Sequence, residues 1–461
     1  MNLSCRAYLS CALALFLILL PGGADIRGQS VAEAPQAPAS VPIVLTNVRI
    51  IDGTGAAPMT NQSLVIEDGR IKTMGPSLQI AVPAGARVLD LAGRTVMPGL
   101  VMLHEHLNYS GGDELMRIQP FSAPRLFLAF GVTTIRTAGI NGPYAELNLK
   151  RRIDTGLVPG PEMFVSGPWF NEPEEGPGFA REFREEFLGM KFVRDEDDAR
   201  RAVRHWAAEG VTSIKVYRRT TPAMLAVIVA EAHRLGLPVM GHIATSSCRE
   251  AADRGIDFIE HGLSCPKDLP SRDPESPEVR ELIRALVNAK VTVDLTPVSA
   301  DALTEAEREV LHPAAYQRYL DLQSRQQRVG QRPGEGSRAK PGLTVAFVRA
   351  GCRVVVGSDS GGFYRIPGFS NHYSLQLLYE TLGFSELDAI RVATLNGATA
   401  LGIQERTGSI AVGKEADLIV VRGDPSTRIR DSSNVEMVFS NGVLFDPKVL
   451  LAEVKGKFGW Q

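Results

Sequence analysis

Two textures of hydrophobic and polar positions divide the chain. From residue 43 to about residue 91, short β-rich runs follow one another at 43–51, 63–66 and 70–74, the last two joined by Asp68-Gly69. An Asp-Gly pair between such runs marks a hairpin. The same texture returns near the C-terminus at 416–421 and 435–439, followed by Asn441-Gly442. Two β stretches at opposite ends of the chain predict one small sheet domain, assembled from residues 43–97 and 402–461.

The centre, residues 98–401, alternates apolar β-like runs with longer helical stretches. Strands are predicted at 99–104, 132–137, 162–166, 213–217, 238–242, 257–261, 291–295 and 353–357. Helices are predicted at 195–209, 222–235, 277–289 and 380–396. Eight buried strands separated by helices predict an α/β fold, a (β/α)8 TIM barrel. Residues 301–340 exceed a plain connection and end in a basic, Gly-rich patch (Arg325, Arg328, Arg332, Arg338, Lys340). A lid and a solvated surface excursion are both open readings.

The N-terminus reads as a signal peptide over residues 1–24. Arg6 supplies the positive charge, residues 12–20 are wholly apolar but too short to span a bilayer, and Pro21-Gly-Gly-Ala24 offers small residues for cleavage. An Ala-, Pro- and Gln-rich linker follows to residue 42. The expected destination is export, periplasmic or secreted, with no stable membrane insertion after cleavage. Five cysteines become three if Cys5 and Cys11 leave. Cys248, Cys265 and Cys352 lack metal-type spacing and read as small buried residues or at most one bridge.

Hydrophobic content of 44% and charged content of 22% suit a globular protein of 461 residues. A formal net charge of −2 excludes a strongly basic, phosphate-neutralising surface, so no nucleic-acid partner is expected.

The chemistry gathers at the strand ends, where barrel sites lie. His104 and His106 stand two apart at the end of the first strand, and residues two apart on an extended strand share a face. Lys215 lies in the fourth, His242 and His261 end the fifth and sixth, and Asp359 ends the eighth. Imidazole nitrogen with carboxylate oxygen suits zinc and related divalent ions. A lysine buried near cations loses its proton and can take up carbon dioxide as a carbamate, whose two oxygens bridge two metals ~3.5–4 Å apart. Asp359 would hold one ion and move the proton from water to the leaving group. Each residue has a plainer role: Lys215 on the surface, His242 and His261 as core histidines, Asp359 as a helix cap. Lys215 lies between Ile214 and Val216, which favours burial.

The motifs Pro98-Gly-Leu-Val-Met-Leu-His-Glu-His106, Gly131-Val-Thr-Thr-Ile-Arg136, Ile214-Lys-Val-Tyr217, Glu231–His242, Ile259-Glu-His-Gly262 and Gly357-Ser-Asp359, with Ala393–Ala398 and Gly408–Val420, together resemble the amidohydrolase superfamily. Within it the likeness is to the imidazolonepropionase-like and prolidase-like branch. It runs from about residue 43 to residue 446. The resemblance implies a composite β-sandwich beside a metal-dependent barrel that hydrolyses amide or related bonds. It implies that His104, His106 and Asp359 hold a buried metal and that His242 and His261 hold a more exposed one. Carbamylated Lys215 would bridge them, with two divalent ions, zinc by donor type, as cofactors. Thr137-Ala-Gly139 departs from the Asp-containing turn that relatives often carry there, which bears on the substrate fit.

Two further residues are candidates. Tyr217, two beyond Lys215, is placed either to donate to a developing oxyanion or to pack as a strand tyrosine. His372 either reaches substrate from the loop after Asp359 or lies on the surface. Arg136 binds a carboxylate or pairs with a buried acid. The expected partner is a small-molecule amide or peptide: an Xaa-Pro-like dipeptide, an N-acyl amino acid or a cyclic amide. A lactonase or esterase using the same centre, and a non-catalytic periplasmic metal-binding protein, are the alternatives. Homo-oligomer formation is left open.

Overall fold

A computed structural model describes residues 41–110, 116–139, 142–173, 190–262, 273–297, 303–328, 341–361 and 365–459. The expected signal peptide, nearly all of the linker, Cys265 and the Arg332, Arg338 and Lys340 patch lie outside the described residues.

The two ends of the chain meet in one mixed sheet of eight strands. Ile43–Ile50, Met59–Glu67 and Arg70–Pro76 form its antiparallel N-terminal part. Asp68 and Gly69 take φ of 49° and 76°, the left-handed pair that a tight hairpin needs. Arg94–Pro98 joins the two parts, lying parallel to Ile43–Ile50 and antiparallel to Leu418–Arg422. Val435–Ser440 and Val443–Phe445 complete the C-terminal side, turning through Asn441 and Gly442. Leu45, Val48, Ile50, Leu64, Val96, Leu418, Val420 and Phe439 make its buried core.

The centre is α/β with parallel strands. Leu100–Glu105, Val132–Thr137 and Glu162–Phe164 form a three-stranded parallel sheet. Met190–Phe192, Ser166–Asn171, Ser213–Val216, Val239–Gly241, Phe258–Ile259, Thr292–Leu295 and Arg353–Val356 form a seven-stranded one. Only Val165 separates Glu162–Phe164 from Ser166–Asn171, and its carbonyl accepts from Thr212 N–H. At the other edge, among the described residues, no ladder pair joins Arg353–Val356 to Leu100–Glu105. The two still touch: Asp359 N–H donates to the His104 carbonyl at 2.9 Å. Gly357 permits that approach, since a Cβ there would lie 2.5 Å from His104 N.

Helices start where the sequence caps them. Asp195, Thr221 and Ser276 accept from the third backbone N–H of the helices Glu196–Glu209, Pro222–Arg234 and Pro277–Asn288. The single helix expected over 380–396 is not formed. Phe369–Glu380 ends at the first residue of that span, Gly383 breaks the path at φ 78°, and Glu386–Arg391 runs into a π-helical turn at Val392–Asn396. Among the described residues no helix is long and apolar enough to cross a membrane. Cys248 is disulfide-bonded, whereas Cys352 is free, buried and pushed by burial to a pKa of about 12.

Candidate metal centre

Among the six residues expected as ligands, His104 and Lys215 lie one residue before the C-terminal ends of Leu100–Glu105 and Ser213–Val216, and His106, His242, His261 and Asp359 lie one to three residues beyond the ends of their strands. The pairing of Leu100–Glu105 with Val132–Thr137 is irregular between Met102 and Glu105. A bulge of this kind re-aims side chains. His104 lies within it and His106 follows it, their rings 5.5 Å apart. The His104 ring lies 4.6 Å from that of His261, which lies 4.4 Å from that of His242. Asp359 Oδ1 is 3.1 Å from His106 Nε2 and 3.6 Å from His104 Nε2. Ligand atoms of His104, His261 and Asp359 all fall within 4.8 Å of one another. His261 and Asp359 take positive φ, 59° and 51°, strained values for residues with a Cβ.

Lys215 is fully buried, and its Nζ has no hydrogen-bond partner. Its nearest opposite charge is Glu260 Oε2 at 4.0 Å. Burial pushes its pKa down and Arg136 adds to that, while Glu260 and Asp294 oppose it. Burial likewise lowers His104 to about 4, His261 to about 3 and His242 to about 2. The imidazoles are therefore neutral and hold free lone pairs near neutral pH, the form a metal takes. Burial alone would raise Asp359, but the Arg365 guanidinium and the His106 and His104 imidazoles hold it well below the usual carboxylate range. Neutral nitrogens, an ionised oxygen and an unpartnered buried amine together fit a divalent metal site.

Several residues around the site carry roles that sequence reasoning did not assign. Glu260 accepts from His104 Nδ1 and receives Arg136 at 3.0 Å. A carboxylate behind a histidine fixes the tautomer that leaves the other nitrogen free. Asp294 also receives Arg136, at 3.2 Å. Of the two readings of Arg136, the structure shows pairing with buried acids. His261 Nδ1 bonds Thr296 Oγ1 at 2.9 Å. Arg365 bonds Asp359 Oδ2 at 2.5 Å. Glu105, between the two histidines, takes Ser358, Ser360 and Asn371.

Tyr217 stacks on Trp169 at 3.9 Å and meets His242 edge-on at 5.2 Å. Trp169 in turn donates to the Ala138 carbonyl, so the Thr137-Ala-Gly139 turn supports this aromatic pair. Gly139 is required there, because a Cβ would lie 2.4 Å from the Gly167 carbonyl.

His372 is a correction. It is neither in a loop nor on the surface but inside the helix Phe369–Glu380, 5% exposed. Its ring nitrogens bond Ser432 Oγ at 3.1 Å and the Phe130 carbonyl at 2.8 Å, which leaves neither for substrate.

Known proteins resemble this chain in sequence and in fold. The amidohydrolase family model matches residues 95–445. The chain belongs to the amidohydrolase family, and it is a hydrolase. Imidazolonepropionase of Symbiobacterium thermophilum is 23% identical over 399 residues, covering 79% of this chain and 85% of that protein. The structure of molinate hydrolase superposes with a TM-score of 0.69 at 22% identity, over 89% of this chain and 96% of that one. That of a Xaa-Pro dipeptidase with bound methionine gives 0.67 at 21% identity, over 88% and 100%.

Proposed function

We propose that the protein is an exported, metal-dependent hydrolase that cleaves carbon–nitrogen bonds in small amides or dipeptides at a two-metal centre. The observation that carries this reading is Lys215: a buried amine without a hydrogen bond, beside a cluster of neutral imidazoles and an ionised aspartate. In this reading His104, His106 and Asp359 hold one ion, and His242 and His261 the other. Lys215, carbamylated, would add a further oxygen ligand between these two sets. Two divalent ions, zinc by donor type, supply Lewis acidity and lower the pKa of water when bound.

The chain's own groups do the rest. Glu260 fixes the His104 ring. Asp359 takes a proton from the attacking water and returns it to the leaving nitrogen. Tyr217, against His242, donates to the oxygen on which charge builds. Xaa-Pro-like dipeptides and N-acyl amino acids are the preferred substrates, supported by the Xaa-Pro dipeptidase among the similar folds. In the same reading the two parallel sheets close as a (β/α)8 barrel through Val165 and the Asp359–His104 bond, and the mixed sheet folds over as a sandwich. The disulfide at Cys248 supports an oxidising destination.

The test is to load the purified protein with zinc, measure bound metal by mass spectrometry, and screen dipeptides, N-acyl amino acids, cyclic amides and lactones. Two ions per chain and amide turnover that chelation abolishes and zinc restores are expected. Lys215→Ala should lose turnover and part of the metal while keeping its melting temperature. A chain that turns over only lactones, or binds metal and turns over nothing, overturns the reading.

A further inference from the structure

We propose that Glu105, the residue between the two metal-binding histidines of the first strand, is a positioning residue that sets Asp359 by holding both of its chain neighbours. This rests on the reading of Asp359 as ligand and proton carrier.

The geometry is specific. Glu105 is wholly buried. Its Oε1 accepts from Ser358 N–H at 2.8 Å and from Asn371 Nδ2 at 2.7 Å. Its Oε2 accepts from Ser358 Oγ at 2.7 Å and Ser360 Oγ at 2.6 Å. One carboxylate thus grips the residues immediately before and after Asp359. Between them Asp359 adopts φ 51°, a conformation that persists only where its surroundings over-determine it. Its own N–H is tied to the His104 carbonyl. Ser360 Oγ also receives His106 N–H at 3.4 Å. The next residue, Gly361, approaches so closely that a Cβ would lie 2.1 Å from the Asn108 carbonyl.

This happens where the described strands make no ladder. The first and eighth strands carry three of the expected ligands, yet no ladder pair fixes their relative position. A side chain does what backbone pairing does elsewhere. All four partners are donors, so the position requires four acceptor sites. Among side chains only an ionised carboxylate offers them. Glutamine would turn an N–H₂ toward donors, and aspartate is one methylene too short to keep all four.

The test compares Glu105→Gln and Ser360→Ala with the wild-type chain. Bound zinc is titrated against a competing chelator, with far-UV circular dichroism and melting temperature as controls. Loss of an outer support costs metal affinity roughly 10–100-fold. We expect a loss of that size for one ion and not the other, with kcat falling and KM held. The two substitutions combined should cost less than the sum of their separate effects, since they remove one network. A role in folding alone would lower the melting temperature and leave metal affinity unchanged. If Glu105→Gln does not fold, Ser360→Ala, which removes a single hydroxyl, decides. Folded variants that hold zinc as tightly as the wild type overturn this inference alone. A wild-type chain that takes up no metal overturns it together with the two-metal reading.

Discussion

Two buried carboxylates, one in each half of the fold, titrate in opposite directions. Asp417 lies in the mixed sheet built from the chain's two ends, with Oδ1 accepting from Asn441 N–H and Oδ2 from Thr407 Oγ1, both at 2.7 Å. Burial outweighs these neutral donors and pushes it up to about 6. Glu260 lies at the ends of the parallel strands and is wholly buried. Burial would raise it too, but Lys215, His104 and Arg136 hold it well below the usual range. The difference is the company, not the burial. The sheet keeps cations away from its buried acid. At the strand ends Glu260 sits against Arg136 at 3.0 Å, and Asp294, which shares that guanidinium at 3.2 Å, is pushed up by burial and by Glu260 beside it.

The largest expected effect tests whether that polar end is a working site. Asp359→Asn keeps the shape and removes the proton acceptor. We expect kcat to fall by about 10³-fold, the scale of general acid–base catalysis, with the melting temperature held. A variant turning over at the wild-type rate on any substrate found by the screen removes Asp359 from the mechanism.

Next in size is Glu260→Gln, which leaves Arg136 and its neighbours short of a negative charge. Breaking a buried pair from one side costs about 3–5 kcal/mol. Urea denaturation of the metal-free protein should show a loss of that order. A loss below about 1 kcal/mol would mean that the cations around Glu260 are not buried charges needing it, contrary to the comparison above.

The clustering of His104, His106, His242 and His261 and the parallel strands were legible because a barrel-type sequence punctuates its strand ends with glycine and polar residues. Glu260 was not. Alternation sends neighbours on a strand to opposite faces, so His261 as a ligand implied that Glu260 pointed away. The strand stops at Ile259, and His261 leaves the extended region at φ 59°, so both residues reach the cluster. Asp359 hides its supports in the same way, and Arg365 lies six residues beyond it in the chain. Glu105 was hidden by the opposite logic: its importance lies in what crosses from another strand, which no local pattern records. The helix expected over 380–396 failed because apolar spacing continues smoothly through a glycine break and a π turn.

A pH series sharpens the sheet side of the comparison. The folded pKa of Asp417, about 6, exceeds its ordinary value of 3.8. A raised carboxyl favours folding in its protonated form. That contribution is full below about pH 4 and is lost as pH rises towards 6. The span of roughly two pK units corresponds to about 3 kcal/mol. Asp417→Asn should therefore match the wild type at pH 4 and exceed it by up to that amount at pH 7, measured by urea denaturation. An unchanged difference between the two proteins across this range would show that neutral donors alone hold the charged form.

The smallest effect concerns His372, which the sequence placed at the site and the structure places between Phe130 and Ser432. Both of its ring nitrogens are bonded, and burial lowers it to about 4, so it is neutral near pH 7 and offers nothing to a substrate. Its work is to tie the helix after the eighth strand to the segment before Gly131 and to the C-terminal part of the chain. His372→Gln keeps one donor and one acceptor. We expect kcat and KM within about twofold of wild type and a stability loss of about 1 kcal/mol, the net worth of an ordinary buried hydrogen bond. A loss of turnover with unchanged stability would return His372 to the site. It would also mean that the helix moves far enough during turnover to free a nitrogen that two partners now hold.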